Sequence, residues 1–392
     1  MAKKTKIPKG WKTVRLGEIA TPIKEKTGGR KFETLSISAG VGFVNQSAKF
    51  GRELSGKQYV NYVILHCGDF SFNKGNSRRY PYGCTYMLRN REIAAVPNVF
   101  YSFRIADFCG EFYEQLFLFG WFNRQLKRLI NTGVRDDGLF NLYKSDFYGC
   151  TVPLPPLLEQ TRIAEILTTA DKLIAVKERL IAAKRKQKRW LMQNLLTGRI
   201  RLPGFDGKWE SVRLGEVCIF RDSERVPIES QERQSRQGAY PYYGASGIID
   251  YVDDYLFDEE LILLGEDGAN ILNRSTPLAF IAKGKYWVNN HAHVIQTLPS
   301  CDMHFLCGRL EVIDYTIYNT GTAQPKLNQD VCKRVKLTIP SLPEQRAIAE
   351  RLTAADREIE LLSRELEQQR QVKKYLMQQL LTGRIRTKGA NV

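Results

Sequence analysis

"LLTGRIR" fills Leu195 to Arg201, and the same seven letters return at Leu380 to Arg386. An identity of that length within one chain marks a repeat, and its flanks extend it. Setting Glu159-Gln160 over Glu344-Gln345 gives an offset of 185, and Leu195 over Leu380 gives 185 again, so no gap intervenes. From Pro155 to Arg201 and from Pro340 to Arg386 the copies agree at about half their positions, including "EQ", "IAE" and "LMQ". Loops tolerate insertions, whereas a helix whose buried face must keep its register does not. A gapless repeat of this length therefore reads as helix.

Each copy opens at prolines, "PLPPLLEQ" and "IPSLPEQ", which suit a helix's first turn, and closes at Gly198 or Gly383, which can cap its end. In the second copy the apolar residues Ile348, Leu352, Ala355, Ile359, Leu362 and Leu366 step by 4, 3, 4, 3 and 4, then resume at Leu376 and Leu380. That is a heptad seam. The first copy repeats it with Ile163, Leu167, Ala170, Ile174, Ile181, Leu191 and Leu195. A helix of about 38 residues spans roughly 57 Å, too long for one small domain to cover, so the seams are expected to cover each other. An antiparallel coiled-coil pair is the arrangement predicted. Charge agrees with it: "KRKQKR" at Lys184 to Arg189 faces a second copy carrying Glu358, Glu360, Glu365 and Glu367. Ordinary amphipathic helices on separate cores would need neither equal length nor matched register.

A second echo frames the helices. "WKTVRLGE" at Trp11 to Glu18 matches "WESVRLGE" at Trp209 to Glu216, and "NTG" at Asn131 recurs at Asn319, shortly before each proline-rich helix start. Between these frames, residues 19–150 and 217–338 diverge. Both have short apolar runs, "YVILHCGDF" and "ELILLG", broken by Gly and Asn turns, and the first adds a helical piece, "FYEQLFLFGWFNRQLKRLI". The predicted class is α+β, with two globular domains separated by the long antiparallel helices in a pseudo-two-fold, ring-like layout. The divisions are 1–154, 155–201, 202–339 and 340–392, the first and third being globular and the others helical.

The chain has 392 residues, 43% of them hydrophobic, which fits folded domains rather than disorder. Fifty-nine Lys and Arg against 42 Asp and Glu leave a formal charge of +17, which suits a polyanionic partner. No apolar run approaches a bilayer crossing, and the eight Cys show no C-x-x-C pairing. A cytoplasmic protein with reduced thiols and no membrane partner is expected.

Nucleic acid is the first candidate for that partner, and several loops offer residues that could contact it. In the first block "NKGNSRRYPYG" offers Lys74, Asn76, Arg78 and Arg79 for phosphates or guanine edges, with Tyr80 and Tyr82 for sugars or bases. In the second block "YPYYGASG" offers Tyr242, Tyr243 and Ser246, and "NTGTAQPK" offers Thr322, Gln324 and Lys326, Gln324 being able to pair with adenine. The first block's counterpart of that loop, "NTGVRDDG", offers Arg135.

Catalytic patterns are missing. Each Gly-Lys pair runs on as "GKQ", "GKW" or "GKY", so no phosphate-binding loop forms, and there is no G-x-G-x-x-G or H-E-x-x-H. The sole Pro-Pro stands in "LPPL", outside any amino-methyltransferase tetrad, and no Pro-Asp opens a nuclease pattern. His291, His293, Cys301, His304 and Cys307 fall within seventeen residues and are all zinc-competent. Their spacing is unusual for zinc and "HAHV" reads as strand, so core residues rather than metal ligands are expected.

"PPLLEQTRIAEIL" with "LPEQRAIAERL", the doubled "LLTGRIR", and "YYGASGIIDYVDDYLFDEE", "GEDGAN" and "GTAQPKLN" in the second block carry a resemblance over essentially the whole chain. It resembles the DNA-specificity subunits of type I restriction-modification systems. The resemblance implies a non-catalytic subunit whose two target-recognition domains each bind half of a split DNA target. It further implies that the paired helices space the halves and dock two methyltransferase subunits. S-adenosylmethionine, ATP and Mg would then sit on those and on restriction subunits, with no cofactor on this chain. The competing reading is a coiled-coil scaffold whose globular ends bind proteins.

Overall fold

The computed structural model describes residues 8–52, 54, 56–75, 80–130, 141–321 and 324–387. Two compact units divide the chain: residues 1–177 with 365–392, and residues 178–364. Each unit takes one half of each repeated helix. Both helices have 39 residues, Leu157–Leu195 and Leu342–Leu380, and would run roughly 58 Å each. Beyond each end Gly198 and Gly383 adopt φ of +70° and +65°, the left-handed turn that glycine takes without strain.

In the first unit the head strand Lys12–Arg15 pairs antiparallel with Thr151–Leu154, the strand that runs into the proline-rich helix start. A four-stranded sheet follows, in the order Thr21–Pro22, Tyr101–Arg104, Phe70–Asn73 and Cys84–Met87. Against it pack Gly110–Leu118 and Asn123–Leu129, the two helices into which the predicted helical piece divides. The core is aromatic: Phe70 and Phe103 stack at 5.3 Å, Phe72 and Phe147 at 4.6 Å. Ile163, Leu167, Leu380 and Leu381 belong to the same core, so helix start and helix end are sealed into it.

The second unit repeats this frame with other residues. Glu210–Arg213 pairs with Lys336–Ile339, and a four-stranded sheet runs Cys218–Phe220, Ala292–Thr297, Leu261–Gly265 and Ala279–Ala282. A second sheet, in the order Gly247–Val252, Gln237–Gly244, Lys285–Val288 and Phe257–Asp258, is this unit's own. Leu195, Leu196, Ile348, Ala349 and Leu352 enter the core beside Phe305 and Leu306.

The helix pairing is antiparallel in both units. In the first, Lys373 meets Asp171 and Lys177 meets Glu365, each at 2.5 Å. In the second, Lys184 meets Glu358 at 2.7 Å and Lys188 meets Asp356 at 2.5 Å. Ascending numbers on one helix pair with descending numbers on the other. Every seam residue named from the sequence is buried or half-buried. Of the four glutamates set against the basic run, Glu358 reaches it. Glu365 takes Lys177 instead, and Glu360 and Glu367 bond within their own helix to Arg364 and Gln371.

Candidate nucleic-acid interface

In the second unit three loops named from the sequence come together. The main chain of Glu266 to Gly268 pairs with the segment 325–327: Leu327 N donates to Glu266 O at 2.7 Å, and Gly268 N to Pro325 O at 3.0 Å. A Cβ on Gly265 would stand 2.6 Å from Ala245 O, so glycine there lets the "YYGASG" turn close over the same edge. The "NTG" asparagine shapes the third loop, since Asn319 Oδ1 accepts from Gly321 N at 3.1 Å and Lys326 N at 2.9 Å. Ser246, Gln324 and Lys326 are exposed on this edge. Lys326 Nζ lies 3.3 Å from Glu266 Oε1.

Beneath the edge lies a charge network. His293, 1% exposed, uses both ring nitrogens: Nδ1 lies 2.6 Å from Asp222 Oδ2 and Nε2 lies 2.7 Å from Leu327 O. A carboxylate and a carbonyl both accept, so both nitrogens must donate and the ring is an imidazolium. Burial pushes its pKa down, but the Asp222 bond and the Cys332 contact outweigh this and raise it to about 10. Asp222 also accepts from Val294 N and Gln329 Nε2, each at 2.9 Å. Arg225 joins the network to Glu266 at 2.8 Å and to Ala292 O at 2.8 Å. Among the described residues no group of three or more His, Cys, Asp and Glu could hold a metal ion.

Tyr242 is a correction. Strand alternation turns it inward, where it is 1% exposed, takes Ile228 N on its hydroxyl at 3.0 Å and lies under the Arg233 guanidinium. It packs the domain and is closed to a ligand. Tyr243 is half-buried between Phe280 and Tyr286. His291 and His304, expected in the core, are both exposed, and strand Ala292–Thr297 begins only after His291. His291 stands on the same edge, with Nδ1 2.7 Å from Asp267 Oδ2. Its neighbour "GEDGAN" was the available signal.

In the first unit Lys74 Nζ lies 5.2 Å from the centroid of the Tyr101 ring, and Lys144 Nζ at 5.8 Å shares that ring. Two loops far apart in sequence therefore present their lysines together. A Cβ on Gly83 would stand 2.6 Å from Asn73 O and from the Phe72 ring, so glycine closes the "NKGNSRRYPYG" loop between adjacent strands. Tyr80 and Tyr82 are half-buried against the unit's two cores. Asn76, Arg78, Arg79, Arg135 and Thr322 lie outside the described residues. Tyr143, an exposed aromatic beside Lys144, went unnoticed in "NLYK", where an aromatic beside a lysine was the cue.

The family model for the type I restriction modification DNA specificity domain matches residues 8–183 and 206–369. A putative type I restriction enzyme specificity subunit of Haemophilus influenzae is 34% identical over 39% of this chain and 38% of its own length. The MjaVIII specificity subunit of Methanocaldococcus jannaschii is 28% identical over 71% of this chain and 72% of its own. The first match thus spans well under half of that relative, the second nearly three quarters. In fold, the chain is similar to the crystal structure of a type I restriction-modification S subunit from M. genitalium. That likeness has a TM-score of 0.60 at 16% identity, over 97% of this chain and 98% of the other.

Proposed function

This chain belongs to the type I restriction-modification DNA specificity family, and we propose that it reads a bipartite double-stranded DNA target, one half-site per unit, as the non-catalytic subunit of its complex. The observation that carries this reading is a repeated frame around two unlike edges: head strand, sheet and helix start recur, while the exposed residues on the edges differ. Gln324, Lys326, Ser246 and His291 serve one half-site. Lys74, Tyr143 and Lys144 serve the other, with Asn76, Arg78, Arg79 and Arg135 assigned to that half and Thr322 to the first on sequence grounds. In functional terms residues 1–154 and 202–339 read, while 155–201 and 340–392 space the half-sites.

Two methyltransferase subunits dock on the helices, and they bring S-adenosylmethionine. Restriction subunits bring ATP and Mg. Supporting the docking is an apolar pair repeated in each unit. Val176 and Tyr375 in the first are 60% and 55% exposed; their repeat equivalents Leu361 and Trp190 in the second are 58% and 52% exposed. Exposed aliphatic and aromatic side chains at matched positions fit two copies of one partner. No described helix is long and apolar enough to cross a membrane, and the complex works in the cytoplasm beside its DNA.

DNA binding at two salt concentrations tests the reading. Phosphate contacts release counterions, so affinity should fall steeply with salt. Weak, salt-insensitive binding would favour a protein-binding scaffold instead.

A further inference from the structure

The two four-stranded sheets can be superposed residue by residue through their registers. Phe72 pairs with Tyr101 in the first unit, and Leu264 pairs with His293 in the second. Two residues further along each strand, Phe70 pairs with Phe103 and Ile262 with Ile295. Phe103 in turn faces Pro22, and Ile295 faces Phe220. Tyr101 and His293 therefore occupy the same position of the same sheet, although no motif relates them.

They also do the same thing. The Tyr101 hydroxyl donates to Leu142 O, and His293 Nε2 donates to Leu327 O at 2.7 Å. Leu142 and Leu327 each follow an "NTG" segment and precede a short helix, Lys144–Gly149 and Gln329–Lys333. Both donors are buried, Tyr101 at 6% exposure. A buried bond across about 40 residues of chain fixes where the following backbone lies, because the acceptor cannot move without orphaning a donor that water does not reach.

We propose that Tyr101 and His293 are equivalent positioning residues that set the register of the DNA-reading edge in their own unit, each through one bond to a leucine carbonyl. In the first unit the held segment carries Tyr143 and Lys144; in the second it carries Gln324 and Lys326. The two anchors differ in chemistry. The phenol is neutral and shares its ring with Lys74 and Lys144, whereas the imidazolium is locked by Asp222, which Gln329 and Val294 also bond. Neither residue needs to touch DNA. This inference rests on the assignment of one half-site to each unit.

The test uses the full chain assembled with its methyltransferase subunits, and reads methylation rates on a library of bipartite targets with single-base changes. Y101F removes one hydroxyl from a packed ring, and H293Q keeps a donor amide but not the ring charge. Y101F should lower discrimination at the first unit's half-site by about 10-fold and leave the other intact; H293Q should do the reverse. H304Q, on an exposed helical histidine, should leave both unchanged. In each variant the untouched half-site reports that the molecule is folded. Equal loss at both half-sites, or a bipartite preference that neither substitution moves, would overturn the proposal. A wild-type complex with no bipartite preference would overturn the functional reading and this inference with it.

Discussion

Arg386 closes on Glu159 with two parallel bonds, Nε to Oε1 at 2.7 Å and Nη2 to Oε2 at 2.8 Å. Trp11 Nε1 donates to the same carboxylate at 2.9 Å, and the guanidinium lies over the Trp11 ring. In the second unit Arg201 closes on Glu344 at 2.6 Å twice and lies over Trp209. The final arginine of each "LLTGRIR" thus binds the glutamate of an "EQ" and packs on the tryptophan of a head. The glutamine beside it bonds Cys109 N in one unit and Asp302 N in the other. Removing the glutamate leaves a partly exposed guanidinium, and in the first unit the Trp11 N–H as well, without its acceptor. E159A and E344A should each cost about 2 to 4 kcal/mol, the lower end reflecting the partly exposed arginines, in a denaturant titration.

The same carboxylate gives an acid signature. Burial pushes the Glu159 pKa up, but Arg386 and Trp11 outweigh it and hold the group below the ordinary carboxylate value of 4.5. A depressed folded pKa adds stability that is present above the unfolded value and lost as pH falls through the folded one. The melting temperature of the wild type should therefore drop below pH 4.5 more steeply than that of E159Q, in scans at stepped pH.

His293 has the opposite sign. Its folded pKa of about 10 stands above the ordinary 6.5, so its contribution is complete below pH 6.5 and declines as pH rises toward 10. Asp222, Glu266 and Cys332 face it, Arg225 and Gln329 bond Asp222 beside it, and all remain in H293Q. The gap in melting temperature between wild type and H293Q should narrow steadily between those two pH values. A constant gap would mean the ring is neutral in the fold.

Heptad stepping made the seam legible, because period alone decides which face of a long helix is buried. Nothing in that period marks Lys177 or Arg364, where the compact units divide, so the helices read as separate segments although each unit takes half of both. The edges were harder. Tyr242 and Tyr243 are adjacent in a run of aromatic letters, and only strand alternation sends one inward. His293 read as a core residue, which it is, but its tie to Leu327 crosses 34 residues and leaves no local trace.

Matched exposure at Val176 and Tyr375, and at Leu361 and Trp190, predicts two independent docking faces. V176D with Y375D should remove one methyltransferase subunit from the assembly, and L361D with W190D the other. Native mass spectrometry would count them. Loss of both partners from a single pair of substitutions would mean that the faces are not independent.

On the proposal that the helices space two half-sites, one of them can be lengthened without touching either reader. Four residues inserted after Lys177 add roughly 6 Å, comparable to one or two base-pair steps of about 3.4 Å. Four residues also turn the helix about 40° past a full turn, a stutter that the seam takes up by local unwinding. Methylation mapping should then return both half-site sequences unchanged with their separation increased by one or two base pairs. Exchanging residues 19–150 for another block is the complementary change: it should replace one half-site and preserve the separation. An insertion that altered a half-site sequence would argue that the helices take part in reading, and an exchange that altered both would argue against one reader per unit.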